Sequence, residues 1–280
     1  MSANMPEVIA EHNLSLAWGK AFLTVMDRSD RLLAPLTISI NGFDNGRPAE
    51  DMRIRQALDN TLGHLGKYSS AVSALTIFPY KHWDREARPD CHDLSDWYLT
   101  QFLPRLKARD RLNMKGTYFE RMIAFQGAKH RDGRDELVVK NQLQHIIEIW
   151  NRDRKNGTRP RQSALQVACF DPAKDHTGST RSGFPCLQQV SFAYGDHSEL
   201  AVNAYYPTQY IFDRAYGNYL GLCHLGHFMA CEMGLQIARL NCFIAHPELG
   251  SVNKGALTEL VAVVRDCLSI KSSEPNKKTI

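Results

Sequence analysis

A cysteine that follows a proline at the mouth of a strand is placed for covalent chemistry, and Cys186 is such a residue. Gly183-Phe184-Pro185-Cys186 closes a polar loop and opens the strand-like run 187–194. The proline ring fixes φ just before the thiol, so the sulfur can be aimed into a cavity as a nucleophile. Other reactive side chains have blander readings. Cys169, Cys223, Cys231, Cys242 and Cys267 read as small buried apolar residues, and Cys91-His92 lacks a second pair to complete a metal site. His224 and His227 lie three apart on one helix face with no acid or thiol partner signalled, so they read as buried or interface histidines, and no metal site is expected. Asn218 stands near the start of an apolar helix, where asparagine commonly caps the first turn. Arg31 and Arg161 read as solvated arginines, and His246 before Pro247 as a partner for a loop carbonyl.

The elements that must position these residues follow from periodicity. Leu14, Ala17, Trp18, Phe22, Leu23 and Val25 share a helical face, with Asn13 as cap, and Leu36-Thr37-Ile38-Ser39-Ile40 alternates as a strand. Residues 50–65 read as a helix, 70–78 as an apolar block of unsettled type, and 94–106 as a helix. Val139, Leu143, Ile146, Ile147 and Trp150 form one buried helical stripe. Three strands follow at 163–170, 187–194 and 198–206, then a helix over 219–235 that is apolar nearly all round. A short strand near 241–245 and a helix over 256–268 complete the chain.

Composition narrows the class. The 280 residues, 43% of them hydrophobic, suffice for one large core, and no linker or repeat divides them. We therefore expect a single domain over 1–271 with a mobile tail, 272–280, and an α+β architecture around a central buried helix. A net charge of +4 without a basic stripe argues against duplex nucleic acid. Seven cysteines, an odd count without framework spacing or a leader-like segment, predict reduced thiols and a cytoplasmic location. The apolar stretch 219–235 is interrupted by His224, His227 and Glu232, which excludes a membrane span as its best reading.

The order of elements over 161–247, with several short motifs, resembles the thymidylate synthase superfamily. Pro185-Cys186 resembles the family's Pro-Pro-Cys-His nucleophile motif, and Asn218 falls on the asparagine that hydrogen-bonds the pyrimidine edge. Gln142-Leu143 and Ile146-Ile147 resemble the helix before the family's paired arginines, where this chain has Arg159-Pro160-Arg161, and Asp171-Pro172 resembles its Asn-Pro. Asp30-Arg31 resembles a phosphate-binding loop, Tyr118 and Arg121 resemble a Tyr-Gly-x-x-Trp-Arg segment, and His246 falls near a sugar-binding His-x-Tyr motif.

The resemblance implies a thymidylate-synthase-like mixed sheet and an obligate homodimer. It also implies a one-carbon transferase, methylating or hydroxymethylating carbon 5 of a pyrimidine nucleotide or nucleoside with 5,10-methylenetetrahydrofolate as donor. Cys186 would add to carbon 6, Asn218 would read the base, Arg31 and Arg161 would take the phosphate, and Tyr118 and His246 would line the substrate. Departures are equally specific. The family's Arg-Ser-x-Asp segment aligns with Pro207-Thr208-Gln209-Tyr210, and its catalytic glutamate aligns near Ser73 or Ala74. Loss of these charges leaves Arg181, Arg161 or Arg214 to activate Cys186. It also keeps two alternatives open, a catalytically silent relative that binds a nucleotide or a protein partner, and a cysteine hydrolase using His224, His227 or His246.

Overall fold

The computed structural model describes residues 5–27, 34–85, 87–109, 116–126, 139–176, 178 and 185–272, so Arg31, Arg181 and the tail 273–280 lie outside the described residues. β1 (Glu7–Glu11), α1 (Leu14–Asp27) and β2 (Leu36–Ile40) form one strand–helix–strand unit with parallel strands. Asn13 caps α1, its side-chain oxygen accepting the Ser15 and Leu16 amides at 2.9 and 3.2 Å. A hairpin of β3 (Phe43–Asp44) and β4 (Arg47–Pro48) precedes α2 (Met52–His64), α3 (Ser70–Leu75) and α4 (Tyr80–Arg85). The unsettled block 70–78 is therefore helical at its start, with Ser69 capping α3.

α5 (Cys91–Trp97) and α6 (Leu103–Arg109) run on through a wider turn, Tyr98–Phe102. After α7 (Tyr118–Ile123), β5 (Phe125–Gln126) pairs with β6 (Val139–Lys140), so Val139 belongs to a strand rather than to the helical stripe, and α8 (Gln142–Lys155) follows. β7 (Gln166–Ala168), α9 (Pro172–Asp175), β8 (Gln189–Tyr194) and β9 (Glu199–Tyr210) lead through the turn Ile211–Ala215 to α10 (Tyr216–Met233). β10 (Gln236–Glu248) and α11 (Thr258–Ser272) close the described chain.

The main sheet has six strands in the order β1-β2-β10-β9-β8-β7. β9-α10-β10 is a second unit with parallel strands, joined to the first by antiparallel pairing of β10 with β2. This is the expected mixed α+β sheet with a central buried helix. Sequence alone gave no strand at β1 and only the middle of β10. β1 is short, with Val8 69% exposed, and β10 spans 13 residues because Arg239 and Asn241 face the uncovered side and mask its alternation.

α10 is buried on every side, with His224, Cys231 and Glu232 as its less covered residues. Its glycines permit the close approach. A Cβ on Gly217 would collide with the Ser70 carbonyl oxygen and lie 2.5 Å from the Ser73 Cβ, and one on Gly226 would lie 2.6 Å from the Val202 side chain. The helix ends at Gly234, whose φ of 63° is the left-handed cap geometry that glycine adopts freely. Trp18 fixes the other end. Stacked on Phe22 at 5.0 Å, it donates its indole N–H to the Ile211 carbonyl at 2.8 Å, holding the turn that feeds α10.

The opposite face of the sheet carries no helix among the described residues. It shows Tyr205 and Phe243, 38% and 44% exposed and stacked at 6.0 Å, beside a ladder in which Asn241 donates to Asn203 at 2.8 Å and Ser39 to Asn241 at 2.9 Å. Because α3 and α10 touch through Gly217, Gly217→Ala is expected to destabilise the protein by about 1–3 kcal/mol, the usual cost of overpacking. Urea unfolding checks this, and a change near zero would show that α3 yields freely.

Candidate functional site

Tyr118 is held by its own helix before it acts on anything. Thr117 caps α7 by accepting the Glu120 amide at 3.1 Å, and the Thr117 hydroxyl bonds Tyr98 at 2.7 Å. Three residues on, Arg121 is clamped to Asp175 through two bonds of 2.7 and 2.9 Å, and it also donates to the Cys169 carbonyl at 2.9 Å. Burial opposes the Asp175 charge, but hydrogen bonds from Arg121 and the Asp171 amide hold this carboxyl below its ordinary range. Gln142 adds a strap, donating to the Arg121 and Ala168 carbonyls at 3.1 and 2.9 Å and accepting the Ala168 amide at 2.8 Å. Arg121, which sequence alone placed in a functional motif, is thus a buried fastener.

With α7 fixed, the Tyr118 hydroxyl oxygen accepts the amides of Cys186 and Leu187 at 3.2 and 3.4 Å. Two accepted bonds leave the phenol proton for the neighbouring sulfur, where hydrogen bonding favours the thiolate. Cys186 itself is exposed, unlike Cys169, Cys223 and Cys242. Packing around its sulfur raises the thiol pKa most, Tyr118 and Arg214 lower it, and Glu248 raises it, leaving it above the ordinary value. The resting thiol is protonated at neutral pH. Cys231, expected to be buried, is exposed because it lies in the last turn of α10, where the helix emerges.

Asn218 does not cap α10. The helix begins at Tyr216 after Ala215, so Asn218 lies inside the first turn and its carboxamide is not needed by the helix end. It is 5% exposed, and no side-chain hydrogen bond reaches it among the described residues. Next to it, Tyr219 donates to Gln209 at 3.0 Å, tying the start of α10 to the end of β9.

Strand register collects several of the expected residues at one end of the sheet. The β8–β9 ladder ends at Gln189 and Tyr205, Thr208 pairs with His246 farther along β9 and β10, and the charges of Arg214 and Glu248 reach the Cys186 sulfur at this same end. His246 Nε2 lies 3.2 Å from the Glu248 carboxylate, while its Nδ1 is occluded without a partner. Cys186, Tyr118, Asn218 and His246 therefore share this end. Arg161 does not. The Pro160 carbonyl accepts the Tyr194 hydroxyl at 2.8 Å, and Tyr194 pairs with Leu200 at the start of β9. Arg161 is exposed there, roughly 25 Å along the strand from Thr208 at ~3.3 Å per residue.

The remaining histidines belong elsewhere. His224 stacks on Tyr80 at 3.9 Å, and burial with the Arg55 charge nearby pushes its pKa down to about 3. His227 Nδ1 bonds the Tyr80 hydroxyl at 3.2 Å. The position expected to hold a catalytic carboxylate is Ser73 or Ala74, both buried on α3 against the α10 glycines, with the Ser73 hydroxyl occluded and unpartnered. Two residues at the Cys186 end escaped notice in sequence. Glu248 had a signal in its spacing from His246, whereas Tyr68, in the loop before α3, had none.

No protein-family model matches this sequence, and no curated protein matches it. Tyr118→Phe keeps the ring but removes the acceptor of two amides, and is expected to cost about 1–3 kcal/mol of stability. It also raises the Cys186 pKa further, so alkylation of Cys186 by iodoacetamide slows at every pH below that value. Peptide-resolved alkylation rates from pH 6 to 10 test this, and an unchanged profile would remove Tyr118 from the site.

Proposed function

We propose that this chain is a divergent one-carbon transferase acting on carbon 5 of a pyrimidine nucleotide or nucleoside through a covalent adduct of Cys186. What supports the reading is that one end of the sheet holds both an exposed cysteine whose amide is held by the Tyr118 hydroxyl and Asn218, whose carboxamide neither caps its helix nor hydrogen-bonds a described group. Addition of the thiolate forms the Sγ–C6 bond and moves the ring π pair to carbon 5 and its carbonyl oxygen as an enolate. The carbanionic carbon 5 can then take a proton from water or meet an electrophilic one-carbon donor, and loss of the original carbon-5 proton returns an electron pair to the ring, so that C5=C6 re-forms and the sulfur leaves as thiolate. Asn218, which donates and accepts at once, matches a pyrimidine edge that offers N–H and carbonyl side by side.

The donor implied by the resemblance is methylenetetrahydrofolate, but Tyr210, 41% exposed, stands where a folate-contacting aspartate was expected. The residues present do not fit the donor at that position, and no step is drawn through it. A silent relative has one observation in its favour, the Ser73–Gly217 contact that leaves no room for a carboxylate on α3. A hydrolase has less, because no described histidine hydrogen-bonds Cys186.

Arg161 enters this reading through a second copy of the chain. The uncovered sheet face, with its Tyr205–Phe243 stack and few charges, fits another copy of itself, and Arg161 of the partner subunit would then supply the phosphate contact that the chain's own Arg161 is too distant to make. Phe243→Asp on this face is expected to turn a dimer into monomers in analytical ultracentrifugation. A wild-type protein that sediments as a monomer would remove the dimer from the account.

Catalysis is tested by tritium release from 5-tritiated pyrimidine nucleotides and nucleosides, with and without methylenetetrahydrofolate. Release is expected in the wild type and absent in Cys186→Ser. No release from any pyrimidine, combined with nucleotide binding in calorimetry, would favour the silent relative.

A further inference from the structure

The hairpin β3–β4 rests on the C-terminal half of α10, and the contact is built around histidine. Gly46, at the hairpin tip with φ of 77°, lies so close to His227 that an added Cβ would overlap the imidazole ring. Arg47 Nε donates to the Tyr80 hydroxyl oxygen at 3.2 Å, and the same hydroxyl lies 3.2 Å from His227 Nδ1. Because the Tyr80 oxygen accepts from Arg47, its own proton goes to His227 Nδ1, the other partner within reach among the described residues. His227 is thereby held neutral, with its proton on Nε2.

Charges around the ring oppose a second proton. Arg47 faces it from β4, Tyr80 and Asp84 from α4, Arg88 from the turn that follows, and His224 from α10 itself. Asp84 is the one carboxylate among these, and it is already paired with Arg47 at 2.7 Å and with Arg88 at 3.2 Å. His224 stacks on Tyr80 at 3.9 Å, with Arg55 of α2, Arg47 and Asp84 as its charged neighbours. Burial first, and then these cations, hold both imidazoles below their ordinary pKa. The grip continues along the chain. Three residues past Arg47, Glu50 accepts the Tyr216 hydroxyl at 2.7 Å, so the same segment braces the first turn of α10.

We propose that the Tyr80–His227 contact is an acid-sensitive latch, holding the β3–β4 hairpin and α4 on α10 at neutral pH and releasing them as the pH falls. Protonation of Nδ1 sets an N–H against the O–H of Tyr80 and adds a positive charge beside Arg47 and Arg88. The charged ring is accommodated once the hairpin and α4 have lifted away and water reaches it. The open form binds a proton that the closed form excludes, so opening grows as the pH falls below the ordinary histidine value of about 6.5. Each histidine freed in this way raises the open fraction about tenfold per pH unit. The latch is independent of the chemistry proposed at Cys186.

Hydrogen exchange of the full chain tests the latch, read by mass spectrometry from pH 7.5 to 5.5 and corrected for the intrinsic exchange rate at each pH. Peptides covering 42–49 and 79–85 are expected to lose protection about tenfold or more per pH unit below about pH 6, while the α8 peptide 142–150 keeps its protection. His227→Gln retains an acceptor for Tyr80 and takes no proton, so it is expected to flatten that response by about tenfold per pH unit. Constant protection in the wild type, a response that His227→Gln retains in full, or an equal loss in the α8 peptide overturns the latch. Nitrogen-15 NMR of the wild-type imidazoles needs no variant. His227 Nδ1 is expected to be unprotonated at pH 7.5, and a proton found there refutes the proposal.

Discussion

A helix without a polar face must be covered on every side, and α10 imposes that constraint on the whole chain. The sheet covers one side through Val202 and Ile237, α3 lies against Gly217 and Gly221, and the Trp150 indole of α8 donates to the Met233 carbonyl at 2.8 Å. Apolar burial on this scale is the main favourable contribution to folding. A polar side chain inside such a helix is costly unless something satisfies it. Asn218 meets that demand by keeping its carboxamide in reach of solvent, and in the proposed function a pyrimidine edge takes the place of that solvent.

The same constraint explains a departure from the resemblance. Ser73 and Ala74 are small because α3 touches α10 at its glycines, and a longer acidic side chain would not fit between them. Proton transfer at the ring would have to come from another element. Around the thiol the combined effects disfavour the thiolate. One hydroxyl and one guanidinium favour the thiolate, whereas burial and Glu248 oppose it.

Much of this fold was legible in the sequence, for identifiable reasons. α1, β2, α2, α8, α10 and α11 each bury one periodic stripe or, for α10, everything, and such patterns survive without tertiary context. β1 is a short edge strand, α3 is one and a half turns of apolar residues, and β10 faces open space on one side, so each lacks a clean period. For the candidate site, the sequence singled out Cys186 from the proline before it and the strand after it, and the structure leaves this cysteine exposed. Of the groups around the thiol, Arg214 stood among three candidate cations and Tyr118 was named only for a substrate contact, while Glu248 was not named, because the three come from elements far apart in the chain. The resemblance assigned Arg161 to a phosphate, yet strand direction sends it to the other end of the sheet from its own Cys186. Asn218 illustrates the reverse. Two readings stood open, and the true helix start two residues earlier removes the capping one.

The most direct test of the account is a crystal structure of the protein with a pyrimidine nucleoside monophosphate bound. The account predicts the ring on the Asn218 carboxamide and carbon 6 about 3–3.5 Å from the Cys186 sulfur or covalently joined to it. A nucleotide bound away from Cys186, or a ring whose edge never meets Asn218, would contradict it.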